Sequence, residues 1–136
     1  MKIMVNKPHR GRTNFVDENN VVLGWESASI CCENHHWAVR TAMTDGQVVV
    51  QSQHGNEEVI VDLDGWVFDP TFVKHERWSQ EDDVNSTYVV WFKIVNKEGV
   101  ENFILLQNTQ NGYYSHGFKL EVSEWDTPRV IFEGSL

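Results

Sequence analysis

The hydrophobic pattern is densest between Thr87 and Val122, where two apolar runs follow each other closely. In the first run, TYVVWFKIV, both alternating sets of side chains are largely apolar. A strand with one solvated face has a polar residue at every second position, so this run predicts a strand inside a sheet, with layers packed on both faces. The predicted core is Val90, Phe92, Ile94, Ile104 and Leu106, with Trp91 covered by the second layer.

The second run, ENFILLQ, begins just after the turn-forming residues Asn96–Gly99. Because so short a connection cannot cross a sheet, the two runs predict an antiparallel hairpin. Phe15–Val16 and Val21–Trp25 flank four further turn formers and predict a second hairpin. Short strands are also predicted at Ile3–Val5, Phe118–Val122 and Val130–Phe132.

Two other stretches are harder to interpret. Residues 34–43 fit a capped helix or an alternating strand, and the strand is favoured because it also explains Asp45-Gly46, a two-residue hairpin signal leading into a valine run. A strand that alternates from Val59 onward is expected to end at Asp69-Pro70, since proline restricts the residue before it. The hydrophilic stretch Lys74–Ser86 is expected to be a surface excursion, with or without a helical turn.

Together these elements predict a mainly β fold over residues 1–136: a single antiparallel β domain, sandwich or roll, with at most one or two short helices. Six Trp and seven Phe in 136 residues indicate a filled core that needs no disulfide or metal. No apolar segment approaches the ~18 residues of a membrane helix. The N-terminus MKIMVNKPHRGR lacks the apolar stretch of a signal peptide, so we expect an intracellular protein without a membrane partner.

The formal net charge is −9, from 11 basic and 20 acidic side chains. This charge disfavours a nucleic-acid partner, because binding duplex phosphates requires a concentrated basic face. The basic residues Lys2, Lys7, Arg10 and Arg12 are interpreted as a solvated arm. The acidic run Glu81-Asp82-Asp83 is too short to mimic a nucleic acid and is interpreted as a charged surface loop.

Cys31 and Cys32, followed by His35 and His36, are the candidate metal ligands, since thiolate and imidazole bind zinc. Their spacing disfavours a site, because adjacent strand residues point to opposite faces. We therefore expect reduced cysteines and no bound metal or cofactor. A nucleophilic Cys32 with a histidine base would also need a third orienting group that the sequence does not locate.

The segment QNTQNGYYSHG between the last long strands is polar and aromatic. It fits a structural loop with a tight Asn111-Gly112 turn and inward tyrosine rings, or a recognition loop rich in adaptable side chains. For the recognition hypothesis, the predicted binding residues are Asn108, Gln110, Asn111, Tyr113, Tyr114 and His116, together with Glu81, Asp82 and Asp83.

Three motifs occur in an order that resembles a known family: Cys31-Cys32 with Trp37, then Trp91–Ile94, then Gln107–Tyr114. The family comprises small phage and bacterial proteins described only as a domain of unknown function. The resemblance covers roughly Phe15 to Val122. Its members carry an Asp-Cys-Cys-Ser run and a closing Arg-Asn-Ser-Ser-Asn-Gly-Tyr-Tyr-Gly run, and the second of these is the more specific.

This chain has Ile30, Glu33 and Gln107 where the family tends to have Asp, Ser and Arg. The resemblance therefore implies a shared fold and a phage or prophage origin more than a shared reaction. The first function it suggests is an accessory protein in the host cytoplasm that binds a host protein without covalent chemistry, for example to inhibit a defence system. A protein that binds or sequesters a small molecule is the second hypothesis, and a Cys/His-dependent enzyme is the least supported.

Overall fold

The computed structural model of the protein describes residues 1–6, 12–26, 34–43, 63–79, 86–110, 116–123 and 128–136. Within these ranges all regular structure is β, which confirms the predicted fold class. The strands are β1 (Lys2–Asn6), β2 (Arg12–Val16), β3 (Val21–Glu26), β4 (Asn34–Arg40), β5 (Val67–Ser79), β6 (Ser86–Val95), β7 (Glu101–Gln110), β8 (Gly117–Val122) and β9 (Arg129–Ser135). The described part of the chain contains no helix long and apolar enough to cross a bilayer.

The described strands form two antiparallel sheets. The five-stranded sheet has the order β1-β2-β3-β8-β9, and the four-stranded sheet has the order β4-β7-β6-β5. Both predicted hairpins are confirmed: β2 pairs with β3, and β6 pairs with β7 from Ser86↔Gln110 to Val95↔Glu101. Because β6 lies between β7 and β5, the TYVVWFKIV run is inside its sheet, as its two apolar faces predicted.

The main core lies between the two sheets. Aromatic rings meet across it, with Phe15 to Trp37 at 5.2 Å between centroids and Phe92 to Phe118 at 5.9 Å. The predicted core residues are confirmed, since all of them are at most 1% exposed: Val90, Phe92, Ile94, Ile104 and Leu106. This packing makes the molecule a β-sandwich.

A second apolar cluster covers the outer face of the four-stranded sheet. Val89, Trp91, Phe103 and Leu105 are buried there, and Met43 and Phe72 pack against them. The Trp91 ring meets the Phe103 ring edge to face at 6.4 Å and is fully buried. The predicted burial of Trp91 is therefore confirmed.

Residues 34–40 form strand β4, which pairs with β7 from Asn34↔Thr109 to Arg40↔Phe103. The favoured strand interpretation is confirmed, and the helix alternative is wrong for these residues. Asp45-Gly46 and the valine run after it lie outside the described residues. The short strands predicted near both ends of the chain are also present, as β1, β8 and β9.

The sequence interpretation of β5 was wrong in two respects. The strand does not end at Asp69-Pro70, and Lys74–Ser79 is not an excursion but continues the strand, paired with β6 as far as Ser79↔Ser86. Its register against β6 shifts between Phe68 and Val73, so Pro70 lies in a β-bulge. Among the described strands β5 is the outermost of its sheet, and a bulge there accommodates a proline that has no N–H to donate. Residues 80–85 lie outside the described part.

Asp69 closes this bulge through one carboxylate oxygen. Its Oδ1 accepts hydrogen bonds from the Thr71 hydroxyl (2.6 Å) and from the Thr71 backbone N–H (3.0 Å). The hydroxyl bond, the backbone bond and the charge of Lys93 hold the pKa of Asp69 below its ordinary value of 3.8. Because the folded state lowers this pKa, ionised Asp69 stabilises the fold above about pH 4, and the contribution is lost as pH falls through the lowered pKa.

Changing Thr71 to Val should raise the pKa of Asp69 toward its ordinary value, because the hydroxyl bond is the largest cause of the lowering. The backbone bond from residue 71 stays available in this variant. Side-chain carboxyl titration by nuclear magnetic resonance measures the effect. An unchanged titration midpoint would show that the hydroxyl does not hold the carboxylate.

Candidate functional site

Leu136 ties the two sheets together at one end of the sandwich. Its backbone exchanges two hydrogen bonds with that of His116, at 2.8 and 2.9 Å, just before β8. Its carbonyl oxygen also accepts a hydrogen bond from Nδ2 of Asn108, on β7 of the other sheet, at 3.1 Å. We call this end of the molecule the Leu136 end.

The strand registers bring many strand termini to the Leu136 end: Asn6, Arg12, Glu26, Asn34, Ser79, Ser86, Gln110, Gly117 and Ser135. These termini border the segments 7–11, 27–33, 80–85 and 111–115, which lie outside the described residues. The opposite end carries the turns at Asp17–Asn20 and Asn96–Val100, and we call it the Asp17 end. Most residues that the sequence suggested for binding or chemistry therefore belong to segments that start and finish at the Leu136 end.

Two of the predicted binding residues are buried at this end. Asn108 is 0% exposed and His116 is 2% exposed. The His116 ring donates from Nδ1 to the carbonyl oxygen of Glu26 and lies 6.2 Å from the ring of Trp25. Asn108 and His116 thus stabilise the Leu136 end from the inside, and a partner would have to contact their neighbours.

The remaining predicted site residues are at the end of β7 or follow β5 and β7 along the chain. Gln110 ends β7 opposite Ser86, and its side chain is not described. Asn111, Tyr113, Tyr114, Glu81, Asp82 and Asp83 lie outside the described residues. Their role in binding stays a prediction.

Two of the four candidate metal ligands lie in the described ranges. His35 and His36 are neighbours in β4, opposite Asn108 and Gln107 of β7. Cys31 and Cys32 lie outside the described ranges. Within those ranges, no group of three His, Cys, Asp or Glu side chains is arranged to hold a metal ion.

A depression of about 440 Å³ lies on the outer face of the five-stranded sheet, next to the Leu136 end. It is lined by Arg12, Gly24, Glu26, Gly117, Phe118, Lys119, Glu133, Gly134 and Ser135. The sequence did not reveal it, because the lining comes from β2, β3, β8 and β9 and only the sheet brings these strands together. A glycine inside an apolar strand, as in VVLGWE, was the available signal, since it marks a place without a side chain to pack.

No protein-family model, curated protein or solved structure matches the chain. The resemblance to the phage family stays a prediction, and function has to be inferred from the residues of this chain.

Another polar feature lies in the cluster on the outer face of the four-stranded sheet. Trp91 Nε1 and Gln107 Oε1 are buried and have no hydrogen-bond partner within the described part of the chain. Both residues are on the same face, because Trp91 is opposite Leu105 and Gln107 is opposite Val89. A buried polar group without a hydrogen-bond partner costs about 1–3 kcal/mol of stability. A ligand that pairs with the Trp91 donor and the Gln107 acceptor would remove this cost.

Gly134 and Gly117 provide a matched pair of substitutions next to the depression. A Cβ atom at Gly134 would lie 2.9 Å from Cζ of Phe118, whereas one at Gly117 would lie 3.5 Å from Cδ of Glu26. Phe118 is buried and stacks on Phe132 at 5.8 Å, so its ring has no room to move. Gly134→Ala should therefore lower the free energy of unfolding by about 1–3 kcal/mol, and Gly117→Ala should have little effect. Urea denaturation measures both, and equal effects would contradict the packing described here.

Proposed function

We propose that the protein acts by non-covalent binding to another protein, and that the Leu136 end carries the binding surface. The observation that supports this is the convergence of strand termini there, since these termini border the segments with the most polar-aromatic and acidic residues. Loops held at one end of a rigid sheet scaffold are common recognition sites.

Two of these segments have neighbouring borders. Ser86, which follows residues 80–85, is the register partner of Gln110, which precedes residues 111–115. In this proposal Asn111, Tyr113 and Tyr114 supply adaptable aromatic and amide contacts, and Glu81–Asp83 attract a basic partner. Acidic groups beside an aromatic patch would speed association, and the effect would fade as salt rises.

The partner that we propose is a host protein, and the site of action is the host cytoplasm. The support for this is the resemblance to the phage family, together with the net charge of −9, which favours a basic partner over a nucleic acid. Inhibition of a host defence system is one activity that such binding would produce.

The test begins with capture of partners from host lysate and continues with the purified partner. We expect a Tyr113→Ala, Tyr114→Ala variant to bind it at least about tenfold more weakly, the loss typical of aromatic hot spots. Reversing the charge of Glu81–Asp83 should slow association and reduce its dependence on salt.

The control is Lys97→Ala with Glu98→Ala, because both residues are exposed in the turn at the Asp17 end. This control should bind like the parent protein. If the tyrosine variant, still folded, keeps the affinity of the parent, the proposed surface is wrong.

A second candidate function is binding of a small molecule at the outer face of the four-stranded sheet. The buried Trp91 Nε1 donor and Gln107 Oε1 acceptor favour it, because a ligand with an amide group would satisfy both. Native mass spectrometry of the purified protein tests this hypothesis. An additional mass that disappears in Gln107→Leu would support it. If the protein has the mass of the chain alone and retains a host protein tightly, the first proposal is favoured.

A further inference from the structure

We propose that the depression on the outer face of the five-stranded sheet binds a peptide segment of the partner in which a basic and an acidic side chain are two residues apart. This inference rests on the proposed function, because it identifies the part of the partner that is recognised. It adds a site outside the four segments at the Leu136 end.

The charged residues around the depression form two opposed pairs. Arg12 is opposite Glu26 across β2 and β3, and Lys119 is opposite Glu133 across β8 and β9. The lining thus holds two cations and two anions, which balance. A phosphate backbone needs an excess of positive charge and an apolar ligand needs an apolar lining, so neither fits this site.

Two glycines give charged side chains room on the floor of the depression, and at one of them the Gly117 N–H donates to Oε2 of Glu26 at 3.3 Å. Gly24 is opposite Lys119, and Gly117 is opposite Ser135. The Arg12 side chain lies across Gly24, because a Cβ atom there would be 3.0 Å from its Nη2. Any side chain at position 24 would displace this guanidinium, so Gly24 sets the position of Arg12 over the floor of the depression.

The spacing of the charges fits an extended peptide. Glu26 and Lys119 lie on the neighbouring strands β3 and β8, and Lys119 is level with Gly24, two residues before Glu26. In an extended peptide, side chains two residues apart are on the same face and about 6.6 Å apart along the strand. The Glu26 carboxylate already accepts from the Gly117 N–H, and Lys119 Nζ lies 4.0 Å from Oε2 of Glu121. A basic side chain near Glu26 and an acidic one near Lys119 would add an oppositely charged partner to each, which gives the pattern Lys/Arg-x-Asp/Glu in either direction.

Selection from a phage-displayed library of short random peptides tests this inference with the full-length protein as target. We expect the selected peptides to share a basic and an acidic residue two positions apart. In fluorescence anisotropy, the best peptide should bind Gly117→Val at least about tenfold more weakly than the parent protein, because the valine would displace the Glu26 carboxylate that lies over Gly117. Lys119→Met, which keeps the glycine floor, should weaken binding similarly, and the Lys97→Ala, Glu98→Ala protein should bind like the parent.

Two outcomes would overturn the inference: selection without a shared charge pattern, or peptides that bind Gly117→Val and Lys119→Met as tightly as the parent. The result also separates the inference from the proposed function. If a host protein binds both depression variants but not the tyrosine variant, the depression is not a binding site and the proposed function stands. If peptides bind at the depression but no host protein is captured, the depression is a binding site and the proposed function is contradicted.

Discussion

Replacing Phe92 with alanine is expected to lower the free energy of unfolding by about 3–5 kcal/mol, a large fraction of the stability of a domain this size. Phe92 is 1% exposed and lies opposite Ile104 in the centre of the four-stranded sheet. Its ring also meets that of Phe118 in the other sheet at 5.9 Å. The substitution would leave a cavity between two sheets whose backbone is fixed by strand pairing, so little collapse can compensate.

Chemical denaturation of Phe92→Ala measures this loss directly. Val100→Ala is the matched control, because it also removes apolar groups but at a position that is 48% exposed. Its effect should be within about 0.5 kcal/mol. Coincident unfolding curves for Phe92→Ala and the parent protein would contradict the placement of Phe92 in the core.

The second large effect is expected at Asp17, whose carboxylate joins the two sheets at the Asp17 end. Its Oδ1 accepts hydrogen bonds from the backbone N–H groups of Asn19 and Val21, both at 2.9 Å, within the turn between β2 and β3. Its Oδ2 accepts from the backbone N–H of Phe68, at the start of β5 in the other sheet, also at 2.9 Å. Asp17 is 4% exposed, so water cannot easily replace these bonds.

Asp17→Ala should lower the free energy of unfolding by about 3–5 kcal/mol, because a hydrogen bond to a charged group contributes about 1.5–3 kcal/mol and two of the three donors are buried. Asp17→Asn should cost less, since its amide oxygen can still accept the turn bonds while its NH₂ group faces the Phe68 N–H. Glu18→Ala, at the exposed neighbour, is the control and should be near neutral. Equal stability of Asp17→Ala and Glu18→Ala would show that the carboxylate does not join the sheets.

Much of the fold could be predicted because its strongest signals are local. The two apolar faces of TYVVWFKIV indicated an interior strand, and turn formers between apolar runs indicated the hairpins. The prediction failed at Pro70 because a proline normally disrupts strand pairing, whereas an edge strand with a bulge accepts it. Whether β5 is an edge depends on the order of the strands, which the sequence pattern does not contain.

The candidate site was less predictable for the same reason. Asn108 and His116 were expected at a binding surface because they are polar, but Leu136 and Glu26 supply backbone acceptors that allow both to be buried. These partners are 28 and 90 residues away along the chain. Asp17 was recognisable as a turn former, while its bond to Phe68, 51 residues away, depends on the packing of the two sheets.

The most direct test of the proposed binding surface is hydrogen exchange of the protein alone and in complex with its purified partner. We expect slower exchange at the Leu136 end, in peptides that contain Ser79, Ser86 and Gln110, which border residues 80–85 and 111–115, and unchanged exchange in the turn Asn96–Val100. Protection confined to the two turns of the Asp17 end would contradict the proposal that the partner binds at the Leu136 end.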